Sequence, residues 1–177
     1  MTILLLHVAP GGSAQQAYLS DIVITNTRDH LLLYFTVNGC FTPEMNAAIE
    51  SGIETTFTFF VKLYEKRRFL WSRKVADIVI HHRIKYDNLK GTYEIHLSEE
   101  NGKRITVNNF AQAKKLMAEI VTLKVAPMDQ MTKGKAYQVQ MMAQLDKIIL
   151  PFYLHHVLFF LSLWDFATDW YAVDFKY

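Results

Sequence analysis

From Phe57 to Leu63 and again from Ala76 to Tyr86, apolar side chains fall on every second position. Phe57, Phe59, Val61 and Leu63 share one face opposite Thr58, Phe60, Lys62 and Tyr64, and Ala76, Ile78, Ile80, His82, Ile84 and Tyr86 share one opposite Asp77, Val79, His81, Arg83 and Lys85. A period of two is the repeat of a strand with one face buried and one in water. Shorter runs repeat it: Leu31, Leu33, Phe35 and Val37; Tyr93, Ile95 and Leu97; Tyr137, Val139, Met141, Ala143 and Leu145. Leu19 to Thr27 and Leu31 to Val37 are expected to form a hairpin around Arg28-Asp29-His30. Glu100-Asn101-Gly102-Lys103 supplies the next tight turn, leading into Ile105 and Val107. Trp170 to Tyr177 is expected to close the sheet.

Two segments break the alternation. Thr42-Pro43-Glu44 offers an N-cap, a proline at the first helical position and an early acid, and Gly52 offers a left-handed stop, so a helix of about two turns is expected between them. Asn108 or Asn109 caps a second helix whose Phe110, Ala113, Met117 and Ile120 lie on one stripe. These patterns predict a mainly β fold, an antiparallel two-layer β-sandwich-like domain with two short helices on its face or rim. At 177 residues, 51% hydrophobic, the chain suits one domain. The burial expected is greatest for Phe59, Val61, Ile78, Ile80, Tyr93, Val139 and Met141.

Nineteen Lys and Arg against 17 Asp and Glu leave a net charge of +2, too small a field to imply nucleic acid. The single cysteine, Cys40, excludes an internal disulfide and a paired-thiol site, and is expected as a buried packing residue. Residues 2 to 9, TILLLHVA, form a short apolar core followed by Pro10, Gly11, Gly12, Ser13 and Ala14. That is the back half of a secretory signal cut after Ala14, although no Lys or Arg precedes Arg28. The expectation is a truncated signal at 1–14, a β-rich domain at 15–177, and residence in the periplasm or envelope, with the cytoplasm as the alternative.

The string from Val37 through NGCFTPEMNAAIESGIETTFTF, the segment Tyr86-Asp87-Asn88-Leu89 with Tyr93 close behind, Leu150-Pro151, and the ending SLWDFATDWYAVDF resemble a bacterial domain-of-unknown-function family, the one numbered four-three-nine-zero. The resemblance runs from about Ile22 to Phe175. It implies small bacterial proteins of the cell envelope, generally with an amino-terminal signal. It brings no established activity, so no catalytic residue is carried over.

Neither His81 with His82 nor His155 with His156 has metal-ligand spacing, and the motifs of serine hydrolases, zinc proteases and phosphate-binding loops are absent. No cofactor or metal is expected, and an enzyme has no positive support. Two stretches stand out from an ordinary core. Lys62 to Lys74, KLYEKRRFLWSRK, sets six cations against Glu65 alone, so Lys66, Arg67, Arg68, Trp71, Arg73 and Lys74 form a basic, aromatic hairpin tip suited to an anionic membrane or an acidic partner. Ile148 to Trp164 holds no Asp, Glu, Lys or Arg, and Phe152, Phe159, Phe160 and Trp164 make it a core helix or an apolar surface before a full span. The function expected is a noncatalytic envelope domain that binds a protein partner at or near the membrane. The alternative is a carrier holding a lipid or apolar ligand between the sheets.

Overall fold

The computed structural model describes residues 17–67, 71–146 and 167–177. Two antiparallel sheets stack on each other. The smaller has the order β1-β2-β7, from β1 (Tyr18–Asn26), β2 (His30–Asn38) and β7 (Glu119–Pro127). The larger has the order β6-β5-β4-β3-β8-β9, from β3 (Thr55–Glu65), β4 (Arg73–Asp87), β5 (Thr92–Leu97), β6 (Lys103–Val107), β8 (Ala136–Leu145) and β9 (Tyr171–Lys176). Neither sheet closes into a barrel. The fold is the two-layer, sandwich-like architecture that the alternation predicts.

Each long strand buries the face that its sequence marks as apolar. Phe57, Phe59, Val61 and Leu63 of β3 are buried, as are Val139, Met141 and Ala143 of β8 and Leu31, Leu33, Phe35 and Val37 of β2. The two layers meet where Phe35 packs edge-on against Phe59, ring centroids 5.9 Å apart, a geometry that aligns the positive ring edge with the negative ring face. Ile78 is only half-buried, because it lies toward the outer end of β4. Among the seven residues expected to carry the core, it is the one that solvent reaches most.

Both helices start and stop on local chemistry. In α1 (Pro43–Glu50), the Thr42 hydroxyl accepts from the Met45 backbone N–H at 3.2 Å, and Gly52 at φ +85° ends the helix. A Cβ on Gly52 would stand 2.9 Å from the Asn88 side-chain nitrogen, so the same glycine lets the end of α1 press on the turn between β4 and β5. In α2 (Phe110–Ala118), the Asn109 side-chain oxygen accepts from the Gln112 N–H at 3.0 Å. Its inward face, Ala113 and Met117, is fully buried.

One element differs from expectation. The helical stripe predicted through Ile120 stops at Ala118, and Glu119 is already extended, so Ile120 points into the core from β7. No period-two pattern announces β7 because its pairing with β2 slips twice, between Leu31 and Leu32 and between Leu33 and Tyr34. Thr122 sits at φ +84° and Val121 is 62% exposed. Slips of this kind turn successive side chains out of strict alternation.

Ile80 is 1% exposed at the middle of β4. Ile80→Ala should therefore cost about 2–5 kcal/mol in a denaturant titration. A loss under about 0.5 kcal/mol is what a surface position gives and would contradict its place in the core.

Candidate functional site

The basic run splits between two strands and the turn joining them. Lys62 lies within β3, with its Nζ 4.6 Å from the centre of the Trp170 ring, while Arg73 and Lys74 open β4. Of the candidate residues that are described, Lys66, Arg67 and Trp71 lie in the turn. Trp71 is 94% exposed. Arg68 lies outside the described residues.

The fold answers the charge that the run concentrates. Glu65, only 8% exposed, accepts from Arg73 Nε at 3.1 Å and Nη2 at 2.7 Å, with Arg67 Nε 3.9 Å away. Arg73 also donates to the Gln130 carbonyl at 3.3 Å. Lys66 pairs with Asp174 of β9 at 2.5 Å, and Lys74 with Asp77 at 2.7 Å. The Arg73 guanidinium holds the Glu65 carboxyl below its ordinary range, and Lys66 and Gln138 do the same for Asp174. The tip is thus a braced corner and not a free cluster of cations, and Arg73 is its structural member.

Phe152, Phe159, Phe160 and Trp164, with the whole of Ile148 to Trp164, lie outside the described residues, as does the predicted signal at 1–14. Among the described residues, no helix is long and apolar enough to cross a membrane.

The adjacent histidines point to opposite faces of β4, as their strand position requires. Outward, the Thr58 hydroxyl donates to Asp146 Oδ1 at 2.5 Å and lies 2.9 Å from His81 Nδ1. Its only hydrogen is committed to the carboxylate, so the imidazole donates to the hydroxyl. This order is the reverse of the one that activates a hydroxyl nucleophile, in which the hydroxyl gives its hydrogen to the imidazole.

Inward, His82 is fully buried, with Phe59 against its ring at 4.7 Å. Its Nδ1 lies 3.0 Å from the Met117 carbonyl and its Nε2 2.8 Å from Glu99 Oε1. A carbonyl only accepts, so Nδ1 carries hydrogen, and a proton must also lie between Nε2 and the carboxyl group. The Met117 carbonyl is among those that the end of α2 leaves without a helical partner, and His82 supplies one. Glu99 Oε2 is buried without a hydrogen-bond partner among the described residues.

Three surface clefts are lined by described residues. One of about 500 Å³ lies between Ile78 and Ile80 of β4, the turn holding Glu99, and Thr122 and Lys124 of β7. A second, of about 410 Å³, runs between Cys40, Phe41 and Lys114. Burial pushes the Cys40 thiol up to about 12, which keeps it protonated and unreactive at neutral pH. The third, of about 430 Å³, joins Gly52 with Tyr86, Asp87, Asn88 and Leu89. There the two most distinctive segments of the family resemblance meet. Asp87 Oδ1 accepts from the N–H groups of Leu89 and Lys90, holding a turn on which Leu89 is 99% exposed. Among the described residues, no group of three or more His, Cys, Asp or Glu side chains stands close enough to hold a metal ion.

Residues 14–174 match the family model described as Domain of unknown function (DUF4390). The chain belongs to that family. No curated protein and no solved structure matches it. Two segments of that resemblance meet where Gly52, at φ +85°, stands against Asn88.

Sequence reasoning placed the cations of the tip but missed their partners. Asp174 lies 108 residues from Lys66 along the chain, and no local spacing signals that pairing. It also missed three further cations brought to the same end by the β7–β8 connection and β9: Lys133, Lys135 and Lys176.

Arg73→Gln should lower stability by about 1 kcal/mol, the upper part of the range for partly exposed ion pairs, while Arg67→Gln changes it little. The stabilisation that Glu65 gains is complete above its ordinary value of 4.5 and is lost as pH falls through its depressed value. In Arg73→Gln the acid limb of stability against pH should therefore flatten, and an unchanged limb would contradict the bridge. His82→Ala should cost about 1–3 kcal/mol by stranding the Met117 carbonyl and Glu99. Hydrogen exchange should then accelerate at the carboxyl end of α2, and exchange at the parent rate would show that the helix end does not depend on His82.

Proposed function

We propose that this domain is a noncatalytic module of the cell envelope that binds a protein partner at or near the membrane. The observation that carries the reading is a set of described side chains between the sheets with no accessible surface, beneath a turn that leaves Trp71 in water. Leu33, Phe57, Phe59, Val61 and Met141 are fully buried. A void wide enough for an acyl chain would leave accessible surface on the side chains around it, so the packing between the sheets supports binding on the outside over carriage of an apolar ligand inside. Tryptophan is among the residue types that most often anchor protein interfaces. Its exposure of 94% at a turn braced by ion pairs presents it at little cost in loop ordering. The envelope location is supported by the apolar run and small residues of positions 2–14 and by what the family resemblance implies.

The test uses the full chain in its native cell with a photo-reactive phenylalanine analogue replacing Trp71. Illumination should yield an adduct with one protein in the envelope fraction. A chain confined to the cytoplasm, or one that gives no protein adduct, would overturn the reading. Recovery of a stoichiometric lipid from the purified chain by solvent extraction would favour the carrier instead.

A further inference from the structure

Resting on the membrane-proximal part of that reading, we infer that one end of the sandwich is a docking face for an anionic lipid bilayer, built from the β3–β4 turn, the β7–β8 connection and the last residues of β9. Backbone contacts bring these segments together. The Lys66 N–H donates to the Ala136 carbonyl at 2.8 Å, and the Tyr177 N–H donates to the Lys135 carbonyl at 3.1 Å. Lys176 pairs across from Ala136. Lys133, Lys135 and Lys176 therefore stand with the four described cations of the tip.

The charge at this end is unbalanced. Those seven described cations face four carboxylates, Glu65, Asp77, Asp129 and Asp174, an excess of three in a chain whose whole net charge is +2. The carboxylates are committed largely to the hairpin, where they pair Lys66, Arg67, Arg73 and Lys74. Lys133, Lys135 and Lys176 are exposed and make no ion pair among the described residues, although Lys135 stands near enough to Glu65 to help hold its carboxyl below the ordinary range. Trp71 adds the amphipathic ring that suits the boundary between lipid headgroups and chains.

A bilayer fits this arrangement better than an acidic peptide does. These lysines come from separate segments, the β7–β8 connection and the end of β9. A broad anionic surface can attract cations on separate segments together, and long lysine stems extend the reach of each ammonium group. The hairpin cations are tied to carboxylates beside Trp71, and the lysines of the other two segments add to the attraction.

The test is sedimentation of the full chain with vesicles of phosphatidylglycerol and phosphatidylcholine, against vesicles of phosphatidylcholine alone. Each basic residue near an anionic surface is worth about fivefold in partitioning. The triple variant Lys133→Gln, Lys135→Gln, Lys176→Gln should bind the anionic vesicles about 100-fold more weakly, with an unchanged melting temperature. Trp71 should give a blue-shifted emission component on binding that Trp71→Phe removes, and added salt should weaken binding as it screens exposed charges. Equal binding of the triple variant and the parent would overturn the inference. Equal binding to neutral vesicles would do the same, as would tighter binding of a poly-glutamate peptide than of anionic vesicles. Vesicle binding without a protein adduct at position 71 would leave this inference standing and remove the partner-binding reading. An adduct without vesicle binding would do the reverse.

Discussion

The packing of Phe59 is the contact on which the two layers depend. Its ring meets Phe35 of the smaller sheet on one side and the His82 imidazole of its own sheet on the other. Through His82 the contact reaches the carbonyl at the end of α2 and the carboxyl group of Glu99. A polar group placed in an apolar interior costs several kcal/mol unless it is hydrogen-bonded, and His82 meets that condition at both nitrogens. The pair then fixes what apolar burial alone leaves loose, namely where α2 ends and how the turn at Glu99 sits against β4. Non-directional burial selects a sandwich, and the directional bonds of His82 select one relative placement of helix and sheet.

That placement explains how the chain passes between its layers. With the Met117 carbonyl held by His82, the helix stops after Ala118 and Glu119 continues directly as β7. A strand launched without a loop must take its direction from the helix end, and the two slips of register against β2 absorb the mismatch. The positive φ of Thr122 marks the same accommodation. Left-handed backbone at a β-branched residue is costly, so the surrounding pairing has to hold it there.

The contrast between β3 and β7 shows what a sequence exposes and what it hides. In β3 the apolar residues from Phe57 to Leu63 keep one face, so periodicity marks its centre and its buried positions together, while its ends lie two residues further out at Thr55 and Glu65. The caps at Thr42 and Asn109 are equally local, since donor and acceptor lie within three residues. β7 is written in the same apolar residues, but its slips erase the period and leave Ile120 in phase with the preceding helix. The basic tip was legible as a charge run and not as a site, because its neutralising carboxylates are set by strand pairing. Lys66 finds Asp174 only after β8 and β9 have joined the sheet. The three lysines that complete that end carry no motif at all, and their juxtaposition follows from topology alone.

The sheet edges then limit one mode of contact with other chains. An exposed edge strand invites pairing with another chain, and proteins blunt it with short strands, charges and bulges. Among the described residues, β1 carries a break in register between Ser20 and Val23, with Asp21 at φ +52°. β6 is five residues long and begins Lys103-Arg104, and β9 points Asp174 and Lys176 outward. β7 has the bulges already described. Each device opposes strand addition on its own edge. With the described core positions buried and the described edges blunted, the turns are places where this surface offers contact, and Trp71 and Leu89 stand at two of them. Each turn is tied from beneath, by Glu65 in one case and by Asp87 in the other, while its apolar side chain stands in water. An interface built on such points needs little backbone ordering when it forms, and that is the physical support for the proposal that this domain binds at its ends.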